Sequence, residues 1–163
     1  MSGRAGAGFP TTLEPLAPDA IARLVQERLA DDRRQQLDVE IVPGAPTPAA
    51  TGAEMVQAIS SLLKNAFDAS ASDERVLLRF AARSGMSRIE VRDRGAGMER
   101  DTQRRAGEPF FTTKEAGKGL GLGLFLVRTF AERSGGTLEF DVNQGTTAIL
   151  EIPALPEDAP SVT

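Results

Sequence analysis

Residues 108–124 read EPFFTTKEAGKGLGLGL, and the fold turns on how that stretch is read. It joins an aromatic-threonine-lysine segment to a short charged linker and then to alternating glycines. Gly117, Gly119, Gly121 and Gly123 occupy every second position. In a helix interior each glycine costs about 1 kcal/mol, so the pattern needs another reason. Glycine lets backbone approach a phosphate closely and adopt φ > 0, and a helix N-terminus adds orphan N–H donors and a positive dipole end. A helix follows at once, with Leu120, Leu124, Val127 and Ala131 at helical spacing. The stretch therefore predicts a lid, Glu99–Lys118, that closes onto a phosphate-holding helix start. Two common phosphate motifs are excluded. The pattern G-x-G-x-x-G finds Leu122 or Leu124 in place of its last glycine, and Gly119 rather than Ser or Thr follows Lys118. Alone, such a loop is equally a surface loop capped by a helix.

Working outward, a helix is predicted from Thr51, an N-cap that Glu54 completes as a capping box. It carries Met55, Ile59, Leu62 and Ala66 beside Val56, Leu63 and Phe67, a stripe broad enough to bury against a sheet. Ser61, Asn65 and Asp68 share its polar face. They make either a solvated face or a site for Mg²⁺ and phosphate, since Mg²⁺ takes oxygen ligands and bridges to substrate phosphates. Val76–Ala82 and Ser87–Asp93 predict a hairpin across Ser84-Gly85, with the face bearing Arg88, Glu90 and Arg92 the wetter one. Asp93 precedes Gly95 and Gly97, as a turn aspartate does. A buried carboxylate there would also accept from an adenine amino group and repel a guanine carbonyl.

Towards the N-terminus, Pro18 and Asp19 open a helix with Ile21, Leu24, Val25 and Leu29 on one stripe, and Leu37–Val42 alternates as a strand. Pro43–Ala50 is a connector. Towards the C-terminus, Gly135 is a helix C-cap. Leu138, Phe140 and Val142 mark a strand that Asn143-Gln144-Gly145 turns into Thr147–Ile152. The order read in this way is β-α-β, helix, hairpin, lid, helix, hairpin. It predicts an α/β fold, a two-layer sandwich of a mixed, mainly antiparallel sheet with helices on one face. One domain is expected over residues 13–153, with a flexible segment before it at 1–12 and a disordered tail at 154–163.

The 163 residues contain no cysteine and no histidine, which removes disulfides, thiol redox chemistry, His metal ligation and self-phosphorylation on His. The net charge of −4 argues against nucleic acid as main partner. No apolar run approaches the ~18 residues of a membrane span, and no signal peptide is expected.

Met55–Ser70 (MVQAISSLLKNAFDAS), Asp93–Met98 (DRGAGM), PFFTTK and GKGLGLGL resemble, in order, the N, G1, F and G2 boxes of sensor histidine kinases. The chain is similar to the catalytic ATP-binding domain of that family, nearly end to end. NAFDAS, PFFTTK and GLFLVRTFAERSGG look closest to the nitrogen-regulation and RegB-type redox kinases. The resemblance implies the Bergerat, or GHKL, fold with ATP and Mg²⁺ as ligands. Asn65 would hold the metal, with Asp68 beside it. Asp93 would read the base, with Gly95, Gly97 and Met98 around it and Thr146 supporting Asp93 through water. Phe110, Phe111, Thr112 and Thr113 would anchor the lid. Lys114 and Lys118 would reach the phosphates, and Gly119, Leu120, Gly121 and Leu122 would wrap them.

The γ-phosphoryl group would pass to a histidine on a separate helical hairpin, and then to a response regulator. The domain would work in the cytoplasm, either free or as the cytoplasmic part of a membrane-bound sensor kinase. One departure stands out. Ser61 occupies the position of an Asn in the kinases and of a water-activating Glu in the related ATPases, and a serine hydroxyl is no general base near pH 7 without help. Two other readings use the same fold: a serine kinase of the anti-sigma-factor type, and a nucleotide-binding module without chemistry.

Overall fold

The computed structural model describes residues 13–95 and 122–156. It opens with helices α1 (Pro18–Glu27) and α2 (Asp31–Gln36), then strand β1 (Leu37–Ile41) and helix α3 (Gly52–Ala69). Strands β2 (Val76–Arg83) and β3 (Met86–Asp93) follow, then helix α4 (Leu122–Arg133) and strands β4 (Thr137–Val142) and β5 (Thr146–Pro153). The sheet order is β1-β2-β3-β5-β4. Only β1–β2 is parallel; the other three pairings are antiparallel. The expected mixed, mainly antiparallel sheet is present. The opening β-α-β is not: among the described residues no strand precedes α1.

Local chemistry explains the boundaries. Pro18 starts α1 because its fixed φ suits the first helical position and its missing N–H would be unpaired there anyway. Leu29 lies beyond the end of that helix. The Thr51 hydroxyl accepts from the Glu54 N–H at 3.1 Å, the first half of a capping box. The second half is altered: the Glu54 carboxylate accepts from the Thr51 hydroxyl, also at 3.1 Å, and pairs with Arg133 at the far end of α4. Ser84 and Gly85 both have positive φ, 49° and 79°, as a two-residue type I′ hairpin requires. At the end of α4, Gly135 (φ 87°) donates to Glu132 O and Gly136 to Ala131 O, a Schellman stop. The strand pairing also runs past Pro153, where the domain was expected to end. Ala154 N–H donates to Gly85 O at 3.0 Å and Leu155 N–H to Thr47 O at 2.7 Å.

One face of the sheet carries the core. Val76, Leu78, Phe80, Ile89, Leu150 and Ile152 are fully buried there, packed with Met55, Ile59 and Leu63 of α3 and Ile21 and Val25 of α1. The other face carries no layer of helices among the described residues, yet it is not simply wet. Glu90 is only 8% exposed. It accepts from Arg88 at 2.7 Å and lies 3.7 Å from Arg79. Arg88 also reaches Glu151 at 2.9 Å, and Arg79 reaches Glu40 at 3.3 Å. Flat-lying arginine stems thus cover the sheet where a second layer would otherwise sit. Ser87 and Ser60 each keep a buried hydroxyl with no partner among the described residues. No described helix is long and apolar enough to cross a membrane.

Candidate nucleotide site

The site is built where the end of α3, the end of β3 and the β4–β5 turn meet. The Arg133–Glu54 pair joins the last turn of α4 to the first turn of α3, and the two helices pack against each other. The half of α3 that carries Asn65 and Asp68 ends at Ala69. The end of β3 arrives at the same place. A Cβ on Gly95 would lie 2.3 Å from the Ala69 carbonyl oxygen at the end of α3, so only glycine fits. This gives Gly95 a packing role within the chain, in addition to any approach to a ligand. The β4–β5 turn closes the other side, where a Cβ on Gly145 would lie 2.1 Å from Asp93 O.

Asp93 stands at the centre, 5% exposed. It faces Thr146 in the sheet ladder. Its Oδ1 accepts from the Gly95 N–H at 2.9 Å and from the Thr146 N–H at 3.3 Å. Thr146 therefore holds Asp93 directly through its backbone N–H. Burial pushes the Asp93 carboxyl above the usual carboxylate range, against the lowering effect of those two N–H donors. A carboxylate that is buried, oriented and poorly solvated binds an incoming N–H donor strongly, because it has little water to give up.

Asn65 is half-buried on the polar face of α3, and Ser61 one turn earlier is half-buried too. Asp68 is engaged differently. Arg33 of α2 lies 3.2 Å from its Oδ1 and Lys64 lies 3.1 Å from its Oδ2. The Arg33 guanidinium also stacks 5.3 Å from the centre of the Phe67 ring. The helical spacing that puts Asp68 beside Asn65 thus also ties α2 to α3. Sequence reasoning missed Arg33. Nothing marks it as near Asp68, because α2 has no apolar period.

The structure joins Asp93, Gly95 and Thr146 by hydrogen bonds, and Asn65 and Asp68 lie towards the end of α3, where Ala69 abuts Gly95. Leu122 is the first residue of α4. Gly97, Met98, Phe110, Phe111, Thr112, Thr113, Lys114, Lys118, Gly119, Leu120 and Gly121 lie outside the described residues, as does the expected lid. Gly123, the last of the alternating glycines, falls inside α4 with open space around its Cβ position. Gly123→Ala is thus expected to raise thermal stability by up to ~1 kcal/mol. Thermal melts alongside nucleotide titration check this. A loss of stability would show that its backbone freedom is needed.

Residues 51–156 match the family described as histidine kinase-, DNA gyrase B- and HSP90-like ATPase. The C4-dicarboxylate transport sensor protein DctB of Pseudomonas aeruginosa is 34% identical over 152 residues, covering 88% of this chain and 24% of that protein. The sensor protein FixL of Bradyrhizobium diazoefficiens is 31% identical over 151 residues, covering 86% of this chain and 30% of that protein. The chain thus spans less than a third of the length of each of these relatives.

Among solved structures, full-length ShkA in complex with AMPPNP superposes with a TM-score of 0.75 at 25% identity, covering 94% of this chain and 34% of that one. The nucleotide-free catalytic domain of histidine kinase ThkA superposes with a TM-score of 0.76 at 24% identity, covering 89% of this chain and 97% of that one, and shows the same fold. The chain belongs to the histidine kinase-, DNA gyrase B- and HSP90-like ATPase family, as an ATP-binding catalytic domain of the sensor histidine kinase type.

Proposed function

We propose that this domain binds Mg·ATP and delivers the γ-phosphoryl group to a histidine on a separate helical dimerisation hairpin, which then serves a response regulator. The observation that carries this reading is Asp93. It is a buried carboxylate fixed by two backbone N–H groups, walled by two glycines whose Cβ positions are filled by backbone, at the end of the sheet nearest Asn65. In this reading Asp93 accepts from the adenine amino group, and Asn65 supplies a neutral amide oxygen to the metal. Mg²⁺, when bound, would neutralise phosphate charge, which suits a site offering one amide oxygen and leaving the other positions to phosphate and water. Lys114 and Lys118 add positive charge from the segment before α4, and the glycines there give backbone N–H groups to the phosphates. Phe110 and Phe111 help the acceptor domain to dock. The domain acts in the cytoplasm, where ATP is supplied.

The chain has no histidine to accept a phosphoryl group, and Ser61 offers no base to activate water. Phosphoryl transfer depends mainly on positioning and charge stabilisation, so ATP held without an in-line nucleophile should stay largely intact. The test is radiolabelled ATP with this chain alone, and then with a hairpin domain bearing a phosphoacceptor histidine. The expected result is an acid-labile label on the hairpin and almost none on the chain. An acid-stable label on the chain itself would favour a serine kinase. ATP binding without any transfer would leave a nucleotide-binding module.

A further inference from the structure

Asp68 stands three residues after Asn65 on the same face of α3, where such positions are neighbours with Cβ atoms about 5–6 Å apart. It is one residue before Ala69, whose carbonyl oxygen leaves no room for a Cβ on Gly95. A bare carboxylate at this position would do two things. It would offer Mg²⁺ a charged ligand beside the neutral amide of Asn65, and it would repel the phosphates of a nucleotide.

The carboxylate is not bare. Each of its oxygens faces a cation, Oδ1 the Arg33 guanidinium and Oδ2 the Lys64 ammonium. The two partners are unequal. The Lys64 side chain is 60% exposed and precedes Asp68 by four residues, the less favourable order for such a pair on a helix. The Arg33 side chain is 38% exposed, and its guanidinium is also held over the ring of Phe67, which is itself buried in the core. Arg33 therefore meets Asp68 from a fixed support. It is not what keeps α2 in place. Gln36 Nε2 donates to Ala71 O at 2.9 Å and to Glu74 O at 2.8 Å, and Arg34 donates to Leu29 O at 2.8 Å and to Gln26 O at 3.1 Å. An ion pair this exposed also adds little to stability. What Arg33 decides is the charge beside Asn65: two cations against one carboxylate leave that face of α3 positive.

We propose that Arg33 is a positioning residue for Mg·ATP: it holds Asp68 in an ion pair, away from the metal, so that α3 offers the metal the neutral amide of Asn65 and meets the phosphates with positive charge. This rests on the reading of Asn65 as the metal ligand. It gives α2, which buries no side chain of its own, a part in nucleotide binding.

The experiment measures Mg·ATP affinity by calorimetry, at low and at high salt, for the wild type, Arg33→Ala, the double variant Arg33→Ala/Asp68→Asn, and Asn65→Ala. Arg33→Ala should bind about three- to tenfold more weakly at low salt, the scale of one partly screened charge interaction, and the deficit should shrink at high salt. Asp68→Asn removes the carboxylate that Arg33 neutralises, so the double variant should recover most of the lost affinity. A mere tether between α2 and α3 behaves differently: its loss would persist in the double variant and would not respond to salt. That result, or wild-type affinity in Arg33→Ala, while Asn65→Ala loses Mg²⁺-dependent binding, would overturn the role of Arg33 alone. Unchanged Mg²⁺-dependent binding in Asn65→Ala would overturn the metal contact and this proposal together.

Discussion

Asp93→Asn is expected to lower ATP affinity about 5- to 150-fold, because a charge-assisted hydrogen bond worth ~1–3 kcal/mol becomes a neutral one. The same substitution should leave stability at pH 7 unchanged or raised. Burial holds the folded-state pKa of Asp93 above its unfolded value. Between those two values the folded protein keeps a proton that the unfolded chain has lost, so stability falls as pH rises through that window and stays lower above it. The asparagine variant has no such loss, and its amide oxygen can still accept from Gly95 and Thr146. The difference in melting temperature between variant and wild type should therefore be greatest near neutrality and shrink as pH falls towards the unfolded pKa. Calorimetric titration and melts on the same samples separate the two effects. A variant that loses affinity and stability together would mean that Asp93 is a structural residue first.

How much of this could be read in the sequence depends on whether the signal was local. Thr51 with Glu54, Ser84-Gly85 and Gly135 are local signals of cap, turn and stop, and each was found where expected. The broad apolar stripe of α3 likewise announced the buried helix at the centre of the fold. Helix α2 could not be found in this way. Its sequence, DDRRQQ, has no apolar period. What holds it is charge: acids in the first turn, bases in the last, and long-range contacts from Arg33 to Asp68 and from Gln36 to the loop at Ala71 and Glu74. Glu90 shows the same limit. Alternation marks its face as polar, but its burial depends on Arg79, brought by β2, and on Arg88 of the same strand, which Glu151 of β5 also holds. In the site, Asp93 and Asn65 were legible because short motifs frame them.

Gly145→Ala is expected to cost about 2–5 kcal/mol, from two sources that act together. The backbone there has φ 115°, outside the range that an L side chain adopts comfortably, and such strain costs about 1–3 kcal/mol. The new methyl would also lie 2.1 Å from Asp93 O and 2.8 Å from Arg94 Cα. Those are backbone atoms, so no side chain can swing away, and overpacking of this kind costs typically 1–3 kcal/mol. For a domain of this size the melting temperature should fall by about 5–15 °C. Gly85→Ala is the control: it has a similar positive φ, 79°, but nothing within 4 Å of the Cβ position, so only the backbone strain applies. The damage at Gly145 should also reach the site. Relief of the contact must move either the β4–β5 turn or the end of β3, and both hold Asp93: the turn through the Thr146 N–H, the strand through its own backbone. ATP affinity in Gly145→Ala should therefore drop at temperatures well below its melting point, while Gly85→Ala, at the opposite end of β3, should keep wild-type affinity. Equal melting temperatures for the two variants would show that the turn can shift without disturbing Asp93.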